Sequence, residues 1–316
     1  MSIKALECPH CMAPIPPDSG KSAVCAFCGY VLVGLPRTWW ARPVDVPPWD
    51  GRAADRGKPR VGLGEHDWVL GRRLAEGAHS EVFRAHRDAR LTQHVVIKIA
   101  HESPEAAAAL QRELRTLARL RSSSAPGAEH FAELLPRPVA RGALRHGPRK
   151  AHAAAYRWHP GFVHTLAEVR RRRPKGVEPR VGVWMLKRLL EQLAWVHGAG
   201  FVHGAVALEH ALVHPRDHGV VLVGWSRARW RFGRGADAPS PRVDLAAAAR
   251  VAVQVLGGDG SRLPRAVPAE LARWLLARTD AASIAQDAWT LRAQLVLLAA
   301  DTLGPPRHSP LALDEG

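Results

Sequence analysis

Cysteine is scarce in this chain: four among 316 residues, all in the first 28. That excludes a disulfide-dense mini-protein. Lysine is scarce too, at seven of the 45 basic residues, so the positive charge is carried by arginine. Long apolar runs are missing. The longest candidate, Leu245 to Leu256, is interrupted by Arg250 and falls short of the ~18 residues a membrane span needs. The start, Met1 to Cys8, lacks the charged-then-apolar shape of a signal peptide, and internal repeats and long low-complexity tracts are absent. These absences predict a cytoplasmic protein with no membrane partner. What is present is an ordinary globular composition, 47% hydrophobic and 23% charged, which excludes wholesale disorder. The length suits one to three domains. A net charge of +16 favours acidic partners. No groove-reading motif supports nucleic acid, so it stands as the lesser alternative to an acidic regulatory protein partner.

The four cysteines form two pairs, Cys8-Pro9-His10-Cys11 and Cys25-Ala26-Phe27-Cys28, with 13 residues between. Two thiolates on a short tether reach one metal, and two such knuckles complete a tetrahedron. The expectation is a structural zinc held by Cys8, Cys11, Cys25 and Cys28 in a ribbon over 1–34; two disulfides or four buried thiols are the other readings. Residues 35–60, with Pro36, Pro43, Pro47, Pro48 and Pro59, read as a linker. Trp39, Trp40 and Trp49 are too apolar for a free tether, so this linker is expected to pack against a neighbouring domain.

Beyond the linker, Trp68 to Leu74 reads as a strand, Ala75 to Glu81 as a loop and Val82 to Ala85 as a second strand. A third, His94 to Ala100, alternates its faces and carries Lys98 near its end; burying that lysine is costly unless its amine is paired. A helix is predicted over Pro104 to Arg121 with Glu113, Leu117 and Leu120 at helical spacing, and Glu113 can reach Lys98 if the helix packs on the sheet. A longer helix begins at Pro179 and runs through His197 with an apolar stripe at Val183, Leu186, Leu190, Leu193 and Val196.

From about Val61 to Leu303 the sequence resembles the protein kinase superfamily. Leu74-Ala75-Glu76-Gly77-Ala78-His79-Ser80-Glu81-Val82 is similar to the glycine-rich loop, and Val95-Val96-Ile97-Lys98 to the strand that carries the phosphate-binding lysine. Glu113 takes the place of that lysine's glutamate partner. The resemblance implies an α+β, bilobal fold, with a small β-rich lobe and a helical lobe, over 61–305, followed by a tail at 306–316. It also implies a nucleotide cleft that would use Gly77, Val82, Lys98, Glu113 and Leu212.

The same alignment implies lost chemistry. Across Gly200 to Val213, His203 matches the family's loop histidine, but Ala205 stands where the base aspartate would be and His210 where a magnesium-binding asparagine would be. Gly224 replaces the second magnesium ligand, and Gly204 the loop arginine. Phosphoryl transfer depends on positioning and on charge stabilisation by metal ions, so three such losses imply a pseudokinase without catalytic residues. Residues that hold the fold are kept: Asp244 matches the aspartate that anchors the loop, and Leu117, His203 and Trp225 the apolar spine linking the lobes. With Val96 crowding the adenine wall, ATP binding is expected to be weak and magnesium-independent, or absent.

Plainer readings stand beside these. Lys98 and Glu113 fit a purely structural ion pair, and Gly77 a simple turn. His210 beside Glu209 could serve an unconventional phosphotransferase as a metal site. Arg170 to Arg173 with Lys175 is a solvated helix end or a patch for the acidic partner. A scaffold or regulatory protein is the main reading, against an active transferase or a zinc-ribbon nucleic-acid adaptor.

Overall fold

The computed structural model describes residues 22–25, 31–33, 55, 57–89, 93–147, 150–159, 161–215, 218–232, 239–309, 311 and 313. It is a mixed α+β structure that divides into two compact units. A short antiparallel hairpin, β1 (Ser22–Val24) and β2 (Val31–Val33), comes first and groups with the second unit.

The first unit, Val46–Pro160 with Val223–Trp230, is built on a six-stranded antiparallel sheet. Its strands are β3 (Arg60–Leu63), β4 (His66–Glu76), β5 (Ser80–Arg87), β6 (His94–Ala100), β7 (Pro138–Ala143) and β8 (His152–Arg157), in the order β3-β4-β5-β6-β8-β7. The alternation foreseen in the third strand is real. Val95, Ile97 and Ile99 enter a core with Val61, Leu63, Trp68, Leu70, Ala85, Ala153 and Ala155, while His94, Val96 and Lys98 stand half-buried on the opposite face. Helix α1 (Pro104–Arg121) has the predicted bounds. Ser103 caps it by accepting from the Ala106 N–H at 3.1 Å, and Pro104 suits its first turn. Its buried face carries Leu110, Glu113, Leu114, Leu117 and Leu120. A short helix α2 (Ala128–Glu133) follows, and the turn Trp225–Arg227 later in the chain packs against α1.

Part of the linker stretch is docked. Asp55 is buried and accepts from Lys58 Nζ at 3.0 Å and from His86 Nε2 at 2.8 Å. Burial opposes its ionisation, but the bonds from Lys58 and His86 outweigh that and keep its carboxyl below the usual range. Trp39, Trp40 and Trp49 lie outside the described residues.

The second unit, Met1–Asp45 with Gly161–Leu222 and Arg231–Gly316, is mainly helical. Strand β9 (His164–Thr165) leads into α3 (Leu166–Arg172), which Thr165 and Glu168 close with a reciprocal capping box. The long helix α4 (Pro179–Gly198) is buried nearly all round, as a helix with core on several sides must be. Strand β10 (Phe201–Val202) precedes a 3-10 turn at Leu208–His210. Then β11 (Ala211–His214) pairs antiparallel with both β9 and β12 (Gly219–Leu222). After the two-residue strand β13 (Arg229–Trp230), which groups with the first unit, α5 (Pro241–Val255), α6 (Ala269–Leu276) and α7 (Ala288–Leu303) complete the chain's helices among the described residues, and α5 and α7 pack on α4. The alanine runs Ala106–Ala109 and Ala246–Ala249 sit in α1 and α5. Among the described residues no helix is long and apolar enough to cross a membrane.

One feature of this unit joins distant parts of the sequence. The His218 ring stacks on Trp184 of α4 at 4.4 Å and 5°, and on His308 of the C-terminal stretch at 4.2 Å and 10°. Its backbone is left-handed, with φ +52, and its side chain is buried. Burial first, then the charges of His308, Arg188 and Lys187, push its imidazole down to about 3 against one opposing backbone bond at Ser309. An unfolded histidine takes its proton near 6.5, so the unfolded chain gains stability relative to the fold as pH drops below that value. This stabilisation is complete above pH 6.5 and is lost progressively towards pH 3. A His218→Phe variant, which keeps a ring in the stack, should therefore be less acid-sensitive. Urea melts at pH 7 and pH 5 should show wild type losing up to about 2 kcal/mol more than the variant. Equal losses would remove His218 from the explanation.

Candidate functional site

Two buried carboxylates organise the residues singled out from the sequence, one in each unit. In the sheet unit, Lys98 Nζ donates to Glu113 Oε2 at 2.7 Å, and the Tyr156 hydroxyl donates to Glu113 Oε1 at 2.7 Å. Glu113 is 3% exposed, so both oxygens of a desolvated carboxylate are held by protein donors. Burial, then the Glu113 charge, raise the Tyr156 hydroxyl well above its ordinary value, and it stays a donor. Val82 on β5 lies directly opposite Lys98 on β6. Gly77 sits at the exposed tip of the β4–β5 hairpin, where its N–H donates to the Ser80 carbonyl at 2.9 Å and its own carbonyl accepts from His101 Nε2 at 2.9 Å. Val82, Lys98 and Glu113 are thus gathered, with Gly77 in the same unit. Leu212, the fifth residue of that set, lies on β11 in the helical unit between Thr165 and Val221.

In the helical unit, Asp244 is fully buried near the start of α5. Its Oδ2 accepts from the His203 backbone N–H at 2.7 Å and from His197 Nε2 at 3.0 Å, and its Oδ1 accepts from the Gly204 backbone N–H at 2.8 Å. Two successive peptide donors on one carboxylate fix the direction of the loop that follows. Gly204 turns with φ +72, a conformation in which an arginine would be strained. Further along this loop His210 Nδ1 donates to the Ala205 carbonyl at 2.7 Å, which commits that nitrogen to the backbone. Glu209 beside it is exposed, and a cavity of about 220 Å³ opens there between Val206–Glu209 and Ala247, Arg250, Val251 and Gln254 of α5. In the sheet unit, Gly224 begins the Trp225–Arg227 turn with left-handed backbone, φ +78 and ψ +46.

The metal and cofactor expectations are corrected here. Among the described residues no group of three or more His, Cys, Asp or Glu side chains gathers around a point where an ion could sit. A structural zinc needs four such ligands. Of its expected set, Cys25 is described and buried, and Cys8, Cys11 and Cys28 lie outside the described residues. The zinc assignment is therefore withdrawn. ATP goes with it: the described residues offer no cluster for the magnesium that would neutralise a polyphosphate. Glu209 and His210, the unconventional metal pair, are likewise only two side chains.

Sequence reasoning missed Tyr156 and His197. Tyr156 closes an alanine run on β8, where an aromatic reads as core, and His197 ends a helix whose apolar stripe hid its polar partner. No protein-family model and no curated protein matches this chain.

Substitutions separate the two carboxylates by experiment. Tyr156→Phe leaves one Glu113 oxygen buried without a donor and should cost about 1–3 kcal/mol in urea denaturation. Lys98→Met alone should cost about 3–5 kcal/mol by stranding a buried charge, and adding Glu113→Leu should recover much of it. If the double variant is no more stable than Lys98→Met, the pair is not the coupled unit described. For Asp244→Ala, which strands two backbone N–H groups and His197, a loss of about 3–5 kcal/mol is expected by the same measurement. A loss under about 1 kcal/mol would show that the carboxylate does not carry the loop.

Proposed function

We propose that the chain is a protein-kinase-like regulatory or scaffold module that does not transfer phosphate. The observation that carries this reading is Asp244: a buried carboxylate accepts two consecutive backbone N–H groups of the loop that contains Ala205 and His210. A loop held this firmly is one on which a kinase would mount its base and a metal ligand. Here the base position is a methyl group, and the metal position is an imidazole bonded to its own loop. The Lys98–Glu113 pair supports the same reading, because it has the residue types and spacing of a kinase and is closed off by Tyr156. The left-handed Gly204 adds a second argument, since an arginine at that position would be strained.

The partner that this reading favours is an acidic regulatory protein. The net charge is +16, and Arg171, Arg172 and Lys175 are exposed at and just beyond the end of α3. Steering by such charge is screened by salt, so complex formation should slow as ionic strength rises.

Incubation with γ-labelled ATP and either magnesium or manganese tests the catalytic half of the proposal. No label should pass to the chain or to a generic protein substrate above a no-enzyme blank. Transfer that disappears in a folded Lys98→Ala variant would overturn the reading.

A further inference from the structure

We propose that Arg84, His94 and Trp158, on the half-open face of the six-stranded sheet, form a binding site for a small oxyanion, a carboxylate or a phosphate. The site needs nothing from the kinase-like reading and uses residues that reading leaves idle.

Strand register places these residues together. His86 of β5 lies opposite His94 of β6, and Arg84 opposite Val96. On the other side of β6, Val95 lies opposite Arg157 of β8, so Trp158, one residue on, continues the ladder towards His94. Arg84, His86, His94 and Trp158 share the face that turns away from the Val95–Ile97–Ile99 core. The Arg84 guanidinium lies 5.9 Å from the centre of the Trp158 ring, within cation–π range.

Two atoms here are out of place in a finished interior. His94 Nδ1 and Trp158 Nε1 are both buried, and neither has a hydrogen-bond partner among the described residues. Buried polar groups are satisfied in the great majority of cases, and each exception costs about 1–3 kcal/mol. An indole N–H can only donate, so its missing partner must be an acceptor. The guanidinium beside it makes a negatively charged acceptor the best match. An imidazole with its proton on Nδ1 adds another donor without needing a charge, which suits His94: burial, then Arg84 and His86, hold its pKa below the ordinary value. Asp55, which meets His86 on this face, is occupied by His86 and Lys58 and does not supply the acceptor. A cation is disfavoured by Arg84, and an apolar ligand would leave both nitrogens unmet.

The indole N–H of Trp158 is itself the reporter. In ¹H–¹⁵N spectra of the full chain, the resonance missing from Trp158→Phe identifies it. Inorganic phosphate and acetate are then added in separate titrations at constant ionic strength. The expected result is a saturable shift of that resonance with at least one probe, beyond any shift of the other indoles. Saturation by phosphate alone assigns a phosphate-bearing ligand, and by acetate alone a carboxylate; response to both supports the site for either. Arg84→Ala should weaken the apparent affinity at least tenfold, and Arg84→Lys, which keeps the charge and serves if the alanine variant does not fold, should weaken it less. No saturable shift with either probe would overturn the proposal, as would an affinity unchanged in the arginine variants.

Discussion

A carboxylate removed from water must be solvated by the protein, and Asp244 shows what that demands. It is fully buried, and its donors come from 40 residues earlier in the chain: the N–H groups of His203 and Gly204, with His197 at the end of α4. Leaving such a charge unmet would cost several kcal/mol, a large part of a domain's net stability. The path from α4 through β10 into the 203–210 loop is therefore fixed by the start of α5. The Leu208–His210 turn, β11 and the cavity beside α5 all inherit that placement.

Glu113 imposes a similar demand on the sheet unit, answered differently. Its donors are side chains, Lys98 and Tyr156, from two adjacent strands, so the ion pair ties α1 to the middle of the sheet. Buried ion pairs are weak arguments for stability in themselves, since apolar replacements often do as well. What they supply is direction: a helix whose buried face contains one carboxylate can dock in only one register. The proposed function rests on these two carboxylates: in that reading they are interactions that would position a kinase's machinery, in a chain without the side chains that would do its work.

Much of this was legible from residue order, and the reasons are local. The start of α1 was marked by Ser103 and Pro104, and its buried face by leucines at helical spacing. The faces of β6 followed from strict alternation between His94 and Ala100. Glu113 could be matched to Lys98 by asking what would pair a buried lysine, whereas Asp244 could be singled out only through the resemblance of its surroundings to a known pattern, because a lone acid in an apolar helix carries no sign of its partner. Tyr156 and the Trp184–His218–His308 stack were not legible at all. They join residues distant in the chain, and neither strand periodicity nor composition encodes which distant rings will meet. The cysteine spacing pointed to zinc, and there the expectation failed among the described residues, since spacing records what could converge rather than what does.

The most direct test of the account is amide hydrogen exchange at His203 and Gly204, whose N–H groups end on Asp244. If the carboxylate holds the loop, both amides exchange far more slowly than those of exposed turns. In Asp244→Asn their protection should fall sharply while that of the α4 interior is retained. Fast exchange in the wild type, or protection that survives the substitution unchanged, would contradict it.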